Sequence, residues 1–148
     1  MVVKLEQHDT QNGIEVIIKY PQKNMYVELL VSLIKSIDMQ ISCYSNDELV
    51  FVNVSDILYI ERTVDKETII HCEKSSCKSK EWLYQILEKL RNIRFVQISK
   101  YCILNLNKLI KIKQLPNSHL EAILTNGKSL YVTRKYLKDI KRILMEKN

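Results

Sequence analysis

A chain of 148 residues with 46% apolar and 27% charged side chains is long enough for one ordinary core and too short for two full domains. The formal charge of +6 is uneven: residues 1–48 hold four lysines against seven acids, a net of −3, and residues 49–148 hold nineteen basic residues against ten acids, a net of +9. A basic module behind a mildly acidic one points to a polyanionic partner, nucleic acid or an anionic membrane surface, with a merely solubilising surface as the plain alternative.

In chain order, the start "MVVKLEQHDT" has no long apolar core or small-residue cleavage site, so a cytoplasmic protein is expected. Residues 2–6 and 14–20 ("IEVIIKY") have strand composition, and Pro21 stops the second. Residues 22–37 read as a helix, with Leu29, Leu30, Leu33, Ile34 and Ile37 at spacings of three and four. Val27 and Val31 widen that stripe until little of the helix is left for solvent. Such a helix is buried by its own domain or by a second chain. The apolar stretch "MYVELLVSLIKSI" is broken by Glu28 and Lys35 and falls short of the roughly 20 residues of a membrane span, so no membrane insertion is expected.

From about residue 40 the pattern changes to period two. "QISCYS" and "ELVFVNV" are strand candidates around the turn signal Ser45-Asn46-Asp47, and "DILYIERT" and "TIIHCE" flank the polar loop Val64–Glu67. Residues 80–90 read as an amphipathic helix capped by Ser79, with Trp82, Leu83, Ile86, Leu87 and Leu90 on one face. "RFVQI", "CILNL" and "LIKIKQL" follow as short strands, and "HLEAILT" and "KSLYVT" flank Asn126-Gly127, a strong hairpin signal. A last helix spans 134–145, with Thr133 as its N-cap. Cys43, Cys72, Cys77 and Cys102 lie in or beside apolar runs and read as reduced, partly buried thiols. The Cys72–Cys77 spacing beside His71 lacks a second ligand pair, which argues against structural zinc.

Two glycines, Gly13 and Gly127, cannot build a phosphate-cradling loop or a dinucleotide fingerprint. His8, His71 and His119 are scattered, and His71 reads as a packed strand residue. No carboxylate pair stands out in the basic half, so nothing in the chain argues for an enzyme. Cations do recur in loops and element ends: Lys66, Lys78, Lys80, Lys100, Arg134 and Lys135. Arg134 and Lys135 open a helix whose N-terminus favours acids by about 0.3–1 kcal/mol each, a small cost that turns favourable if a phosphate docks on the free amides. Helices separated by strands do not make a helix-turn-helix.

Four segments together, "VSDILYIE", "TIIHCE", "FVQISKYCILNLNKLIKI" and "LTNGKSLYVTRKYLKDIK", resemble in order and spacing the LytTR-type DNA-binding domain of bacterial transcription regulators. The resemblance covers roughly residues 46–145. It implies an α+β, mainly β fold of three small sheets with short helices, whose loops enter successive major grooves of double-stranded DNA, commonly as two molecules on paired sites. The family's base-reading arginine falls on Arg134 and its second contact on Lys100, flanked by Ser99 and Tyr101. A third falls in the early loop, on Lys66 or Glu67. Where many members have arginine, histidine and serine, this chain has Gln97, Ser99 and Tyr101, so the half-site sequence does not transfer. About 45 residues precede the resemblance, too few for a receiver domain.

The expectation is therefore two parts: residues 1–45, a β-β-helix segment that is a candidate for dimerisation, and residues 46–148, the DNA-binding domain. Arg134, Lys100 and Lys66 would read bases. Lys135, Ser99, Tyr101, Thr133, Lys78 and Lys80 would hold phosphates or the groove wall. The expected partner is double-stranded DNA, bound by a homodimer, with no metal or small-molecule cofactor. RNA binding and a basic protein-interaction module are the alternatives.

Overall fold

The structure is a computed structural model that describes residues 1–117 and 119–144. Helix α1 (Met25–Ile37) leads into the hairpin β1 (Gln40–Ser45) and β2 (Glu48–Asn53), then β3 (Ile57–Arg62), β4 (Thr68–Cys72) and β5 (Ser76–Ser79). Helix α2 (Leu83–Leu90) precedes β6 (Phe95–Ser99) and β7 (Cys102–Asn105). The strands β8 (Leu109–Gln114), β9 (Leu120–Leu124) and β10 (Ser129–Val132) run into α3 (Arg134–Leu144). The last residue of the expected helix, Met145, lies outside the described residues.

Turn chemistry sets the hairpins. Asn46 and Asp47 both adopt positive φ, 51° and 65°, as a two-residue hairpin turn requires, and the β1–β2 register runs unbroken from Gln40↔Asn53 to Ser45↔Glu48. Gly127 takes φ 85° in the β9–β10 turn, with its N–H donating to Leu124 O at 2.9 Å.

The strands assemble into two antiparallel sheets, one ordered β2-β1-β5-β4-β3-β7-β6 and the other β10-β9-β8. The implied count of three sheets becomes two because one residue pair, Tyr44↔Lys78, joins the β1–β2 hairpin to the rest of the larger sheet. Strand β3 is buried over Ile57, Leu58, Tyr59 and Ile60 because both its faces are covered. On one side Ile60, Ile70 and Ile103 pack with Ile86 and Leu90 of α2. On the other, Tyr59, Ile98 and Leu104 pack with the small sheet and Ile140 of α3. Burying a branched aliphatic side chain contributes about 1.5–3 kcal/mol, so these two layers dominate stability. Asn105 is buried but satisfied: its Nδ2 donates to Ile57 O at 2.8 Å, and its Oδ1 accepts from Asn107 N at 3.0 Å.

Several expectations change. Residues 2–6 and 14–20 form no strand and are almost wholly exposed, because no edge of either sheet pairs with them. The first helix starts at Met25, where Asn24 Oδ1 accepts from Val27 N at 3.1 Å. Helix α2 starts at Leu83 rather than residue 80. Ser79 Oγ instead accepts from Glu81 N at 3.1 Å, a local turn that delays the helix, and Trp82 stands outside it, 54% exposed. Strand β5 was hidden by its polar composition and is paired to β4 from Thr68↔Ser79 to His71↔Ser76. The expectation of four reduced thiols fails for two: Cys43 and Cys77 form a disulfide, because β1 and β5 are sheet neighbours although 34 residues apart. Cys72 and Cys102 stay free, and burial pushes the Cys102 thiol up to about 12.

Candidate nucleic-acid interface

Backbone hydrogen bonds gather the basic turns at one end of the larger sheet. Strand β3 ends in a turn over residues 63–67, closed by Thr63 N to Glu67 O at 2.8 Å and Lys66 N to Thr63 O at 2.9 Å. Beside it, Arg62 N donates to Tyr101 O at 2.8 Å, which brings up the Ser99–Tyr101 turn between β6 and β7. On the far side of that turn, Thr133 N donates to Ile98 O at 2.8 Å and seats the start of α3 next to β6. The pair Thr68↔Ser79 sets the end of β5 beside the first turn. Lys66, Ser99, Lys100, Tyr101, Thr133, Arg134 and Lys135 thus share one end of the molecule, with Lys78 and Lys80 on its flank.

Each turn has its own local cause. Lys66 adopts φ 62°, a left-handed conformation that a lysine takes only when the surrounding turn imposes it. In the second turn a register shift between Gln97 and Ser99 bulges β6, Tyr101 N donates to Ser99 Oγ at 3.3 Å, and Gln97 Nε2 donates to Lys100 O at 3.3 Å. Helix α3 follows Thr133 as expected, with Tyr136 N donating to Thr133 O at 2.9 Å, and no acid in its first turn offsets the amides there.

The cations are not equivalent. Lys78 Nζ lies 3.2 Å from Glu67, and Lys80 Nζ sits 4.4 Å from the Tyr44 ring centre. These exposed contacts are weak and exchangeable. Lys66, Lys100 and Lys135 form no ion pair with a described acid. Lys100 and Lys135 lie 5.5 Å from the rings of Tyr101 and Tyr136, consistent with loose cation–π contact.

Two residues at this end are not marked by the sequence pattern. The Arg62 guanidinium lies 4.4 Å over the Trp82 ring while its Nη1 donates to Thr68 Oγ1 at 2.9 Å. With Lys100 and Tyr101 they line an open, apolar-walled recess of about 240 Å³ beside α2. The available signals were a cation ending an apolar strand and the chain's one tryptophan just before a helix. A second recess, about 410 Å³, runs between α3 and β8 with Arg134, Lys111 and Lys141 along it.

His71, expected as a packed strand residue, is half-buried and stacked on Tyr59 at 4.3 Å. Its Nε2 lies 3.0 Å from Glu61 Oε1 and its Nδ1 3.1 Å from Ser76 Oγ. This serine–histidine–glutamate line crosses three neighbouring strands and lines neither recess, so it ties β3, β4 and β5 together. Burial, with Glu61 and Cys102 nearby, pushes the Tyr59 phenol up to about 12.

Comparison with known proteins bears on the family and the fold. Residues 47–145 match the family described as LytTr DNA-binding domain. The sensory transduction protein LytT of Bacillus cereus is 25% identical over 146 residues, 95% of this chain; the chain spans 58% of that relative's length. An uncharacterized HTH-type transcriptional regulator of Staphylococcus aureus is 28% identical over 142 residues, covering 95% of this chain and 94% of its own. The fold is shared with the LytTr DNA-binding domain of a Bacillus cereus protein described as a methyl-accepting/DNA response regulator, at TM-score 0.65 and 22% identity over 71% of this chain and 95% of that one. No described helix is long and apolar enough to cross a membrane. Through the match over residues 47–145, the chain belongs to the LytTr DNA-binding domain family.

Proposed function

We propose that the protein is a cytoplasmic, sequence-specific regulator of transcription that binds double-stranded DNA as a homodimer, without catalysis or a cofactor. Its two basic turns and the N-terminus of α3 enter major grooves. Arg134 reads a base edge with its two-pronged guanidinium, and Lys100 and Lys66 read bases from the two turns. Lys135, Thr133, Ser99 and Tyr101 fix the register on phosphates and the groove wall. Lys78 and Lys80 exchange Glu67 and Tyr44 for phosphate as DNA arrives. The observation that carries this reading is the pair of backbone bonds, Arg62 N to Tyr101 O and Thr133 N to Ile98 O, that sets the three cation-bearing segments at one end.

A second reading, single-stranded RNA binding, draws on the exposed rings of Trp82, Tyr84 and Tyr101 near the same cations. Selection from a random double-stranded DNA pool, followed by titration of the winners and of single-stranded RNAs of matched sequence at several salt concentrations, decides between them. A defined motif bound only as duplex, with a steep log–log salt slope, is expected. Tighter binding of the single strands, or no enriched motif, would overturn the duplex reading.

A further inference from the structure

Helix α1 buries Val27, Ser32 and Ser36 and turns part of its apolar surface outward. Ser32 and Ser36 are buried; Ser36 Oγ donates to Leu33 O at 2.8 Å, while Ser32 Oγ has no described hydrogen-bond partner. Tyr26, Leu33 and Ile37 meanwhile stay 70%, 41% and 63% exposed, with Leu30 half-buried between them. At 100° per residue these four side chains form one stripe along the helix. Just upstream, the segment "IEVIIKY", strand-like in composition, has no strand partner among the described residues and leaves Ile14, Val16, Ile17 and Tyr20 exposed. Apolar surface of this extent on a soluble chain marks an interface.

We propose that a second copy of this chain covers the stripe, with α1 packing antiparallel on its counterpart across a two-fold axis and residues 14–20 closing over the pair. The spacing of 26, 30, 33 and 37 is four, three, four, and reads the same in both directions. An antiparallel copy therefore sets Tyr26 against the partner's Ile37 and Leu30 against the partner's Leu33, twice over, which is the self-complementarity a two-fold interface needs. One helix pair of this length falls short of the roughly 1,200–2,000 Å² that stable interfaces bury. The exposed side chains of residues 14–20 supply the remaining apolar area. This deepens the homodimer of the reading above by assigning its contact surface, and it sits on a different part of the chain from the DNA-facing turns.

The test is light scattering on the full chain, on Leu33→Lys with Ile37→Lys, and on Ile14→Lys with Val16→Lys, each checked by thermal melting. The unaltered protein is expected at twice the chain mass of 17.5 kDa. Both double variants are expected at single mass with folded far-UV spectra, since all four positions are exposed in the monomer. Their apparent affinity for a paired DNA site should fall at least tenfold while single half-site affinity is retained. A monomeric unaltered protein at about 100 µM, or a dimer that survives either double variant, overturns the interface. Should one variant fail to fold, the other still decides. If all three proteins ignore DNA, the DNA reading fails, and the masses decide the interface by themselves.

Discussion

At the cationic end, side chains are exposed on turns whose backbones are bonded to the core: Arg62 to Tyr101, Thr133 to Ile98, Thr63 to Glu67. Along residues 1–24 the side chains are as exposed, yet no strand ladder holds their backbone and many of them are apolar. The first region has the character of a preformed site, with water on polar groups and position fixed by the sheet. The second has that of one half of an interface, apolar and unsupported until something covers it. Exposure alone does not identify function; the chemistry of what is exposed, and what anchors it, does.

The largest effect that tests the contrast is ionic strength. If the cationic end neutralises six to ten phosphates per dimer, affinity for DNA should fall about 10³–10⁵-fold between 50 and 200 mM salt. Apolar contact along α1 should leave the dimer mass nearly unchanged over that range. A dimer that dissociates in step with DNA release would erase the distinction between the two regions.

Next in size is the Cys43–Cys77 disulfide, which staples the β1–β2 hairpin to β5 where one residue pair otherwise joins them. Closing a loop of 34 residues is worth about 3–4 kcal/mol in the chain-entropy account. Cys43→Ser should lower unfolding stability by about that much in denaturant titrations while leaving half-site affinity unchanged, because the turns at the cationic end hang on β3, β4, β6 and β7. A large loss of half-site affinity in a folded Cys43→Ser protein would show that the hairpin supports the cationic end.

Within the cationic end, Arg134→Ala should cost about 1–3 kcal/mol of binding and relax specificity at one base pair, whereas Lys135→Ala should weaken all sequences alike and shallow the salt slope by about one. Equal, sequence-independent losses from both would remove the base-reading role of Arg134. The smallest change expected is Lys66→Gly. Relief of the left-handed backbone should raise stability by about 1 kcal/mol while DNA affinity falls. Opposite signs from one substitution would mark Lys66 as a residue kept for binding at a cost to the fold, and a gain in both would deny it that role.

Much of the domain is legible without coordinates where the signals are local. Period-two runs locate β1–β4 and β6–β10, and Asn46-Asp47 and Asn126-Gly127 locate two turns, because positive φ restricts residue choice strongly. The candidate site was legible in part. Arg134, Lys100 and Lys66 could be named from pattern and family resemblance, but Arg62 and Trp82 could not, since their contact joins a strand end to a residue twenty positions later. Strand β5, "SCKS", is too polar to carry a strand signal of its own, and its pairing with β4 holds it.

Charge asymmetry, the local elements with their turns, and the cations that open α3 all follow from residues close together in the chain. Tertiary structure alone decided that β1 lies beside β5 and bonds Cys43 to Cys77, and that α1 shows Leu33 and Ile37 to solvent while burying Ser32. It also decided that residues 14–20, strand-like in composition, find no sheet edge among the described residues. The physical reason is the same in each case: a strand or an amphipathic helix specifies what kind of neighbour it needs, and only the packed molecule reveals whether that neighbour is present.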